Sequence, residues 1–312
     1  MKINTEYLDR NQCDTIKGVC ILLVFVSHFM QYVAKAGGYV INLYIGQLMV
    51  APFLFFSGYG VMKSIQAKGR NYVMAMPKRR ILSTLINFDI AVSLYVLLNL
   101  VLSHPMSSSQ VMLSFIGWDS VGNSNWYIFV ILLCYAVSFI AGLMSHRPAY
   151  IALITGLGCF VCMIALSYVK SYWWYDTILC FPAGMLYAEF KGSIECFLKR
   201  IWPIALFVTI FAVICLMIRC PVFYGVGWNV KAVLFVFIII LVIMRFPFRN
   251  GVLGWLGHQL FPIYIYQRIP MILLFELFPL GFADWRMPLF MFLSFGITVI
   301  IATSWNKWQV KF

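Results

Sequence analysis

The chain has 312 residues, of which 63% are hydrophobic and only 11% charged, with a mean hydropathy of +0.90; this composition excludes a soluble globular protein and places the chain in a bilayer. The stretches between apolar runs are mostly short, so no sizeable water-soluble domain fits. A net charge of +13 would suggest nucleic acid in a soluble protein, but in a membrane protein orientation accounts for it, and no nucleic-acid partner is implied.

A helix needs ~20 apolar residues to cross the hydrocarbon core. The sequence predicts ten such spans, at 16–35, 43–63, 82–103, 126–144, 149–168, 172–190, 201–218, 228–245, 253–277 and 288–306. The expected fold is an all-α integral membrane protein, a bundle of about ten transmembrane helices in a single domain over 1–312. An even number of spans puts both termini on one side. Of the 23 Lys and Arg, four (Lys35, Lys170, Arg219 and Arg286) fall on the opposite side and two (Lys231 and Arg268) fall within spans; the other 17 lie on the side of the termini. That split identifies the termini as cytoplasmic. A basic start and an apolar run at 19–26 ahead of Ala34-Lys35-Ala36 imitate a signal peptide. Ser27-His28 interrupts the run and further spans follow, so the first helix is expected to be retained.

The first span carries Asp14, Lys17, His28 and Gln31, which at ~100° per residue share about a third of the helix circumference. A face of this kind cannot look into lipid. Asp14 and Lys17 belong to the cytoplasmic rim, whereas His28 lies ~21 Å higher, inside the bilayer. An ionisable residue at that depth marks a pathway or an active site by default, the alternative being a histidine that joins helices through a hydrogen bond.

In the second span, Ser57-Gly58-Tyr59 suits close helix packing more than substrate contact. Residues 64–81 are expected to form a cytoplasmic loop with Lys68, Arg70 and Lys78-Arg79-Arg80. Its charges either fix orientation and touch anionic lipid or hold an anionic cofactor. An external loop is expected over 104–125, with Ser107-Ser108-Ser109, Gly117, Gly122, Asn123 and Asn125. Trp126-Tyr127, opening the fourth span, serves either as an aromatic belt or as a sugar-stacking surface, and Trp173-Trp174-Tyr175 reads as belt. Cys159-x2-Cys162 sits on an apolar helix with no second pair and no nearby His, so no metal site is expected. Walker, GxGxxG and HExxH motifs are missing from the sequence. Late in the chain, Arg268 sits between Pro262 and Pro270, where a guanidinium requires a polar cavity or a partner.

Several of these segments carry a resemblance. Arg10-x3-Asp14-x2-Lys17-Gly18 followed by an apolar run to His28 resembles the opening motif of the membrane-bound acyltransferase-3 family. Phe55-Phe56-Ser57-Gly58-Tyr59, Lys78-Arg79-Arg80-Ile81-Leu82, Trp126-Tyr127 with Tyr135, Phe181-Pro182-Ala183-Gly184-Met185, and Leu256-Gly257 followed by Ile263-Tyr264-Ile265-Tyr266 resemble later motifs of that family, in the same order. Three positions depart from its pattern. Lys17 stands for the usual Arg and lacks the planar fork, Ser83 occupies the second position of a basic pair that begins at Arg80, and Gln267 stands for a His.

The resemblance implies transfer of an acyl group, usually acetyl from acetyl-CoA, to a hydroxyl of a cell-surface glycan or its lipid-linked precursor, in the cytoplasmic membrane of a bacterium. It implies His28 as the catalytic residue. Asp14, Lys17, Arg79 and Arg80 become the cofactor contacts, and Ser57, Tyr59, Trp126, Gln267 and Arg268 the substrate contacts, with no metal. Because an amide cannot shuttle a proton at neutral pH, acid-base work falls on His28 rather than Gln267. Direct transfer and an acetyl-histidine relay both remain open. The competing class is a transporter or flippase of a lipid-linked sugar, against which stands the lack of an inverted repeat; a glycan polymerase is a third reading.

Overall fold

The 26 residues Arg10–Lys35 form one unbroken helix, α1, long enough at ~1.5 Å per residue to cross a bilayer. In this computed structural model, which describes residues 6–35, 45–219, 225–278, 285–305, 307 and 309–310, α1 packs against α2 (Ile45–Lys68). Among the described residues there is no strand, and nine helices are long and apolar enough to span. The chain is a multi-pass, all-α membrane protein. Ala36, which completes the cleavage-like triplet, lies outside the described residues.

The expected loop over 64–81 is helical instead. α2 runs on to Lys68, Gly69 turns the chain at φ +54°, and α3 (Arg70–Met76), a π-helical turn (Pro77–Leu82) and α4 (Ser83–Val101) follow without interruption. Gly69 is the one position here that needs the left-handed region, which glycine enters at little cost. Pro77 lacks an N–H, and the wider π turn beginning there accommodates the lost helical bond. What makes this segment fold is burial of Tyr72, Val73 and Met76 against α6 (Trp126–Met144). Arg70 Nη1 adds hydrogen bonds to the carbonyls of Gly142 (3.0 Å) and Leu143 (3.3 Å), the C-terminal turn of α6, where a cation is favoured.

The expected external loop over 104–125 is also partly helical, and its last residues are sunk into the bundle. Ser107 caps α5 (Ser108–Phe115) by accepting from the Gln110 amide at 3.1 Å. Beyond α5, Val121, Asn123 and Ser124 are 3% exposed. Irregular backbone survives at that depth only when its polar groups are paired. Asn99 Nδ2 donates to the Val121 carbonyl (2.7 Å), Gln110 Nε2 to that of Ser120 (2.8 Å), and Asn125 Nδ2 to those of Gly117 (3.0 Å) and Asp119 (2.8 Å). From the end of α7 (Pro148–Val169), Lys170 Nζ donates to the Trp118 carbonyl at 2.6 Å and lies 4.0 and 4.4 Å from the ring centroids of Trp118 and Trp174, a double cation–π contact that pins the loop.

α8 (Cys180–Arg219) is continuous in hydrogen bonding yet contains two crossings. Drawn straight, it would carry Met217 ~55 Å from Cys180, but only eight residues join Met217 to Gly225, a reach of at most ~28 Å. Gly225 lies at the Cys180 end, since its amide donates to Asp176 Oδ1 (3.1 Å). The reversal occurs at Ile201, whose backbone is non-helical (φ −120°, ψ 15°). Next to it, Trp202 Nε1 donates to the Leu241 carbonyl at 2.7 Å, near the far end of α9 (Val226–Arg245). Counted with α8 as two, the nine long apolar helices of the described residues give ten crossings, as the hydropathy pattern predicts, although the sixth starts at Cys180 rather than 172. The predicted ninth span is divided into α10 (Gly251–His258), α11 (Leu260–Tyr266) and α12 (Arg268–Leu277), with breaks at Gln259 and Gln267; α13 (Met287–Trp305) completes the bundle.

Two helix crossings are backbone to backbone. A Cβ on Gly18 would overlap the Leu253 carbonyl and one on Gly257 the Asp14 carbonyl, joining α1 to α10; Gly58 and Gly184 stand in the same relation to the carbonyls of Phe181 and Phe55, joining α2 to α8. Such approach is how membrane helices gain dispersion contacts when lipid offers no hydrophobic drive.

Candidate active site

Two cavities open toward opposite ends of the bundle, and α1 lines both. At the end rich in arginine and lysine, a cavity of about 520 Å³ is lined by Arg10, Lys17, Ser57, Arg80, Ser83, Asn87, Tyr127, Tyr135, His258 and Gln309, among others. Arg10 and Gln309 share it, so both terminal segments lie at this end. Asp14 holds Lys17 Nζ at 3.0 Å and Arg10 Nε at 3.7 Å, which fixes two cations on the cavity wall. Arg10 Nη2 also lies 3.4 Å from His258 Nδ1. Arg80 comes from the π-helical turn; its Nε donates to the Tyr72 hydroxyl (3.1 Å) and its guanidinium stands 6.0 Å from the Tyr135 ring centroid. Ser83 Oγ and Asn87 Nδ2 donate to the Val310 carbonyl at 2.9 and 3.0 Å, which holds the carboxyl-terminal segment against the same wall.

The second cavity, about 450 Å³, is lined by Ser27, His28, Gln31, Gln47, Asn123, Ser124, Asn125, Trp126, Trp173, Tyr264 and Arg268, with others. His28, 8% exposed, stands eleven residues after Lys17 on α1, ~16 Å along the helix axis. Its Nδ1 lies 3.5 Å from Ser124 Oγ. Arg268 Nη2 donates to Gln31 Oε1 at 2.9 Å while its Nε is buried without a partner. Between the two cavities stands an aromatic wall. Tyr127 packs edge to face on Tyr264, with centroids 5.1 Å apart, and on Phe53 at 6.0 Å.

Behind this cavity, Asp176 in the connection between α7 and α8 is fully buried. Its carboxylate accepts from the Gly225 amide (3.1 Å) and from Nε2 of Gln47 (3.4 Å), and Gln47 lines the cavity. Burial raises the Asp176 carboxyl to about 7, against the lowering pull of those donors and of Lys231.

The structure therefore brings most, but not all, of the sequence-derived candidates into two groups. Lys17, Arg80 and Ser57 meet in the basic cavity, and His28, Trp126 and Arg268 in the other. Four candidates line neither. Asp14 acts one contact back, through Lys17 and Arg10. Arg79 is exposed on the outer side of the π turn. Tyr59 has Cys13 and Glu195 as neighbours, because it stands two positions after Ser57 and so ~200° round the helix. Gln267 is fully buried, donates to the Tyr264 carbonyl at 3.0 Å and adjoins His28 from behind, a position set by the break between α11 and α12. Arg10, His258, Ser124 and Tyr264 are the additions. Arg10 was visible as part of the opening motif and Tyr264 as part of a late one; the histidine count of four is the only signal for His258.

A family model described as an acyltransferase domain matches residues 10–305. No curated protein and no solved structure matches the chain. With that match covering nearly the whole chain on a multi-pass helical bundle, the protein belongs to the membrane-bound acyltransferase-3 family.

Proposed function

We propose that this membrane acyltransferase moves an acetyl group from cytosolic acetyl-CoA to a hydroxyl of a cell-surface polysaccharide or its lipid-linked precursor, in the cytoplasmic membrane of a bacterium. The observation that carries this reading is the placement of Lys17 and His28 on one helix, ~16 Å apart, in two separate cavities, one with several cations and the other lined by hydroxyl, amide and aromatic groups with Arg268. The basic end is cytoplasmic by its charge. There Arg10, Lys17, Arg80 and His258 suit the phosphates of a coenzyme A thioester. An extended pantetheine arm passing the Tyr127–Tyr264 wall would bring the thioester to the level of His28.

On the other side, the lining of Ser124, Asn123, Gln31 and Arg268 with Trp126 and Trp173 suits a sugar, which needs hydrogen-bonding groups around an aromatic surface. A neutral His28 ring nitrogen accepts the proton of the acceptor hydroxyl as its oxygen attacks the acyl carbon, then returns it to the departing sulfur. Arg268 and Gln31, joined to each other, orient the acceptor.

The test is mass spectrometry of surface glycan from cells producing the wild-type protein or His28→Gln. The amide keeps a hydrogen bond but cannot accept the proton, so glycan acetylation should fall about 100-fold or more at unchanged protein abundance. Near-normal acetylation in His28→Gln would overturn the assignment.

A further inference from the structure

Resting on that acyl-transfer reading, we propose that the Tyr264 hydroxyl and the backbone amides opening α6 form the site that holds the carbonyl oxygen as it becomes an oxyanion. α6 starts at Trp126, and its cap residue Asn125 makes no side-chain cap hydrogen bond; the side chain is instead turned to the loop, where its Nδ2 donates to the carbonyls of Gly117 and Asp119. The first-turn amides of Trp126, Tyr127 and Ile128 therefore have no acceptor within the helix, at the end where the helix dipole favours negative charge. Helices usually begin at the membrane surface. This one begins beside His28, since Ser124, Asn125 and Trp126 line the same cavity as the imidazole.

Tyr264 supplies an independent observation. It is fully buried, lines the cavity, and its hydroxyl has no well-formed hydrogen-bond partner. That hydroxyl faces the backbone of Tyr127, and the two rings are in edge contact at 5.1 Å. The His28 ring is 6.2 Å from the Tyr264 ring, centroid to centroid. A buried hydroxyl without a well-formed partner is costly; this one, beside the opening amides of α6 and on a ring that packs near His28, is a donor prepared for charge that exists only during reaction.

The chemistry balances as follows. The acceptor oxygen bonds to the acyl carbon and its proton goes to the His28 ring nitrogen. The carbonyl π electrons move onto the carbonyl oxygen, which Tyr264 O–H and the α6 amides stabilise. The C=O bond then re-forms, the C–S bond breaks, and the proton on His28 passes to the thiolate.

Tyr264→Phe keeps the ring and removes only a hydroxyl that lies against the Tyr127 backbone, so the ring packing that supports the fold is retained. In membrane vesicles of the source cell, which carry the native acceptor, kcat for transfer of radiolabelled acetyl from acetyl-CoA should fall about 100-fold or more. KM for acetyl-CoA and the Kd of an S-alkyl coenzyme A thioether, which has no carbonyl, should stay within about threefold, because the contact is made in the transition state. Incorporation of 3-fluorotyrosine at position 264, a more acidic donor of nearly the same shape, should leave the rate equal to or above wild type. Transfer by Tyr264→Phe within about threefold of wild type overturns the inference while leaving the acyl-transfer reading intact, as does a fluorotyrosine protein that is slowed about tenfold or more. A wild-type protein that binds the thioether but transfers no acetyl overturns both.

Discussion

Replacing Arg79 and Arg80 separately with Ala tests the basic cavity more sharply than replacing both, because two arginines adjacent in sequence have different surroundings. Arg80 lines the cavity and is oriented by its Nε bond to Tyr72 at 3.1 Å; Arg79 is exposed and lies outside it. A charge-assisted hydrogen bond to phosphate in a partly buried site contributes ~1.5–3 kcal/mol, so Arg80→Ala should raise the Kd for acetyl-CoA about 10- to 150-fold at ~1.4 kcal/mol per tenfold. An exposed arginine contributes ~0–1 kcal/mol and is screened beyond ~8 Å at physiological ionic strength, so Arg79→Ala should change Kd by less than about fivefold. Arg80→Lys should fall between, keeping the charge without the fork. All three variants are measured by calorimetric titration of purified protein in detergent at low and high salt. The small Arg79 effect should disappear at high salt, whereas most of the Arg80 effect should persist. Equal losses in the two variants, or a loss confined to Arg79→Ala, would refute the reasoning, because the charges would then act as a diffuse surface field.

Gly58→Ala should destabilise the purified protein by ~1–3 kcal/mol or more through overpacking against the Phe181 carbonyl, whereas Gly60→Ala, with open space around it, should change stability by no more than ~0.5 kcal/mol; similar melting shifts would show that the α2–α8 crossing is not backbone to backbone. Because the Asp176 carboxyl is raised to about 7 in the folded protein from an ordinary ~4, the folded state binds a proton that the unfolded state has lost over that interval. Its contribution to stability is therefore present below pH ~4, declines as pH rises and is gone above pH ~7. Melting temperatures in detergent should fall between pH ~4 and ~7 with a slope that Asp176→Asn reduces, and an identical slope in the variant would rule this out. A reporter fused after Phe312 should report cytoplasm and one inserted near Ser108 the external side; one location for both would invalidate the crossing at α8.

Composition and hydropathy were enough to determine a helical membrane protein of ten crossings, because lipid permits only helices whose backbone bonds close within themselves, and ~20 apolar residues register each crossing whatever its neighbours do. Periodicity on α1 likewise determined that Asp14, Lys17, His28 and Gln31 share a face, since helix geometry fixes that within one element. Which residues meet across elements was not determined this way. Arg79 and Arg80 look equivalent in a basic run, and only the π turn and the burial of Tyr72 send one into a cavity and the other to the surface. Ser57-Gly58-Tyr59 reads as a unit, yet Gly58 closes a helix crossing, Ser57 lines a cavity and Tyr59 turns to another cluster. The segment 119–125 looks like a polar external loop because its residue types suit water. It is mostly buried beside His28 because Asn99, Gln110 and its own Asn125 satisfy its backbone, and Lys170 holds the neighbouring Trp118 carbonyl. Those pairings reach from 6 to 52 residues along the chain, and no helix or strand periodicity encodes them.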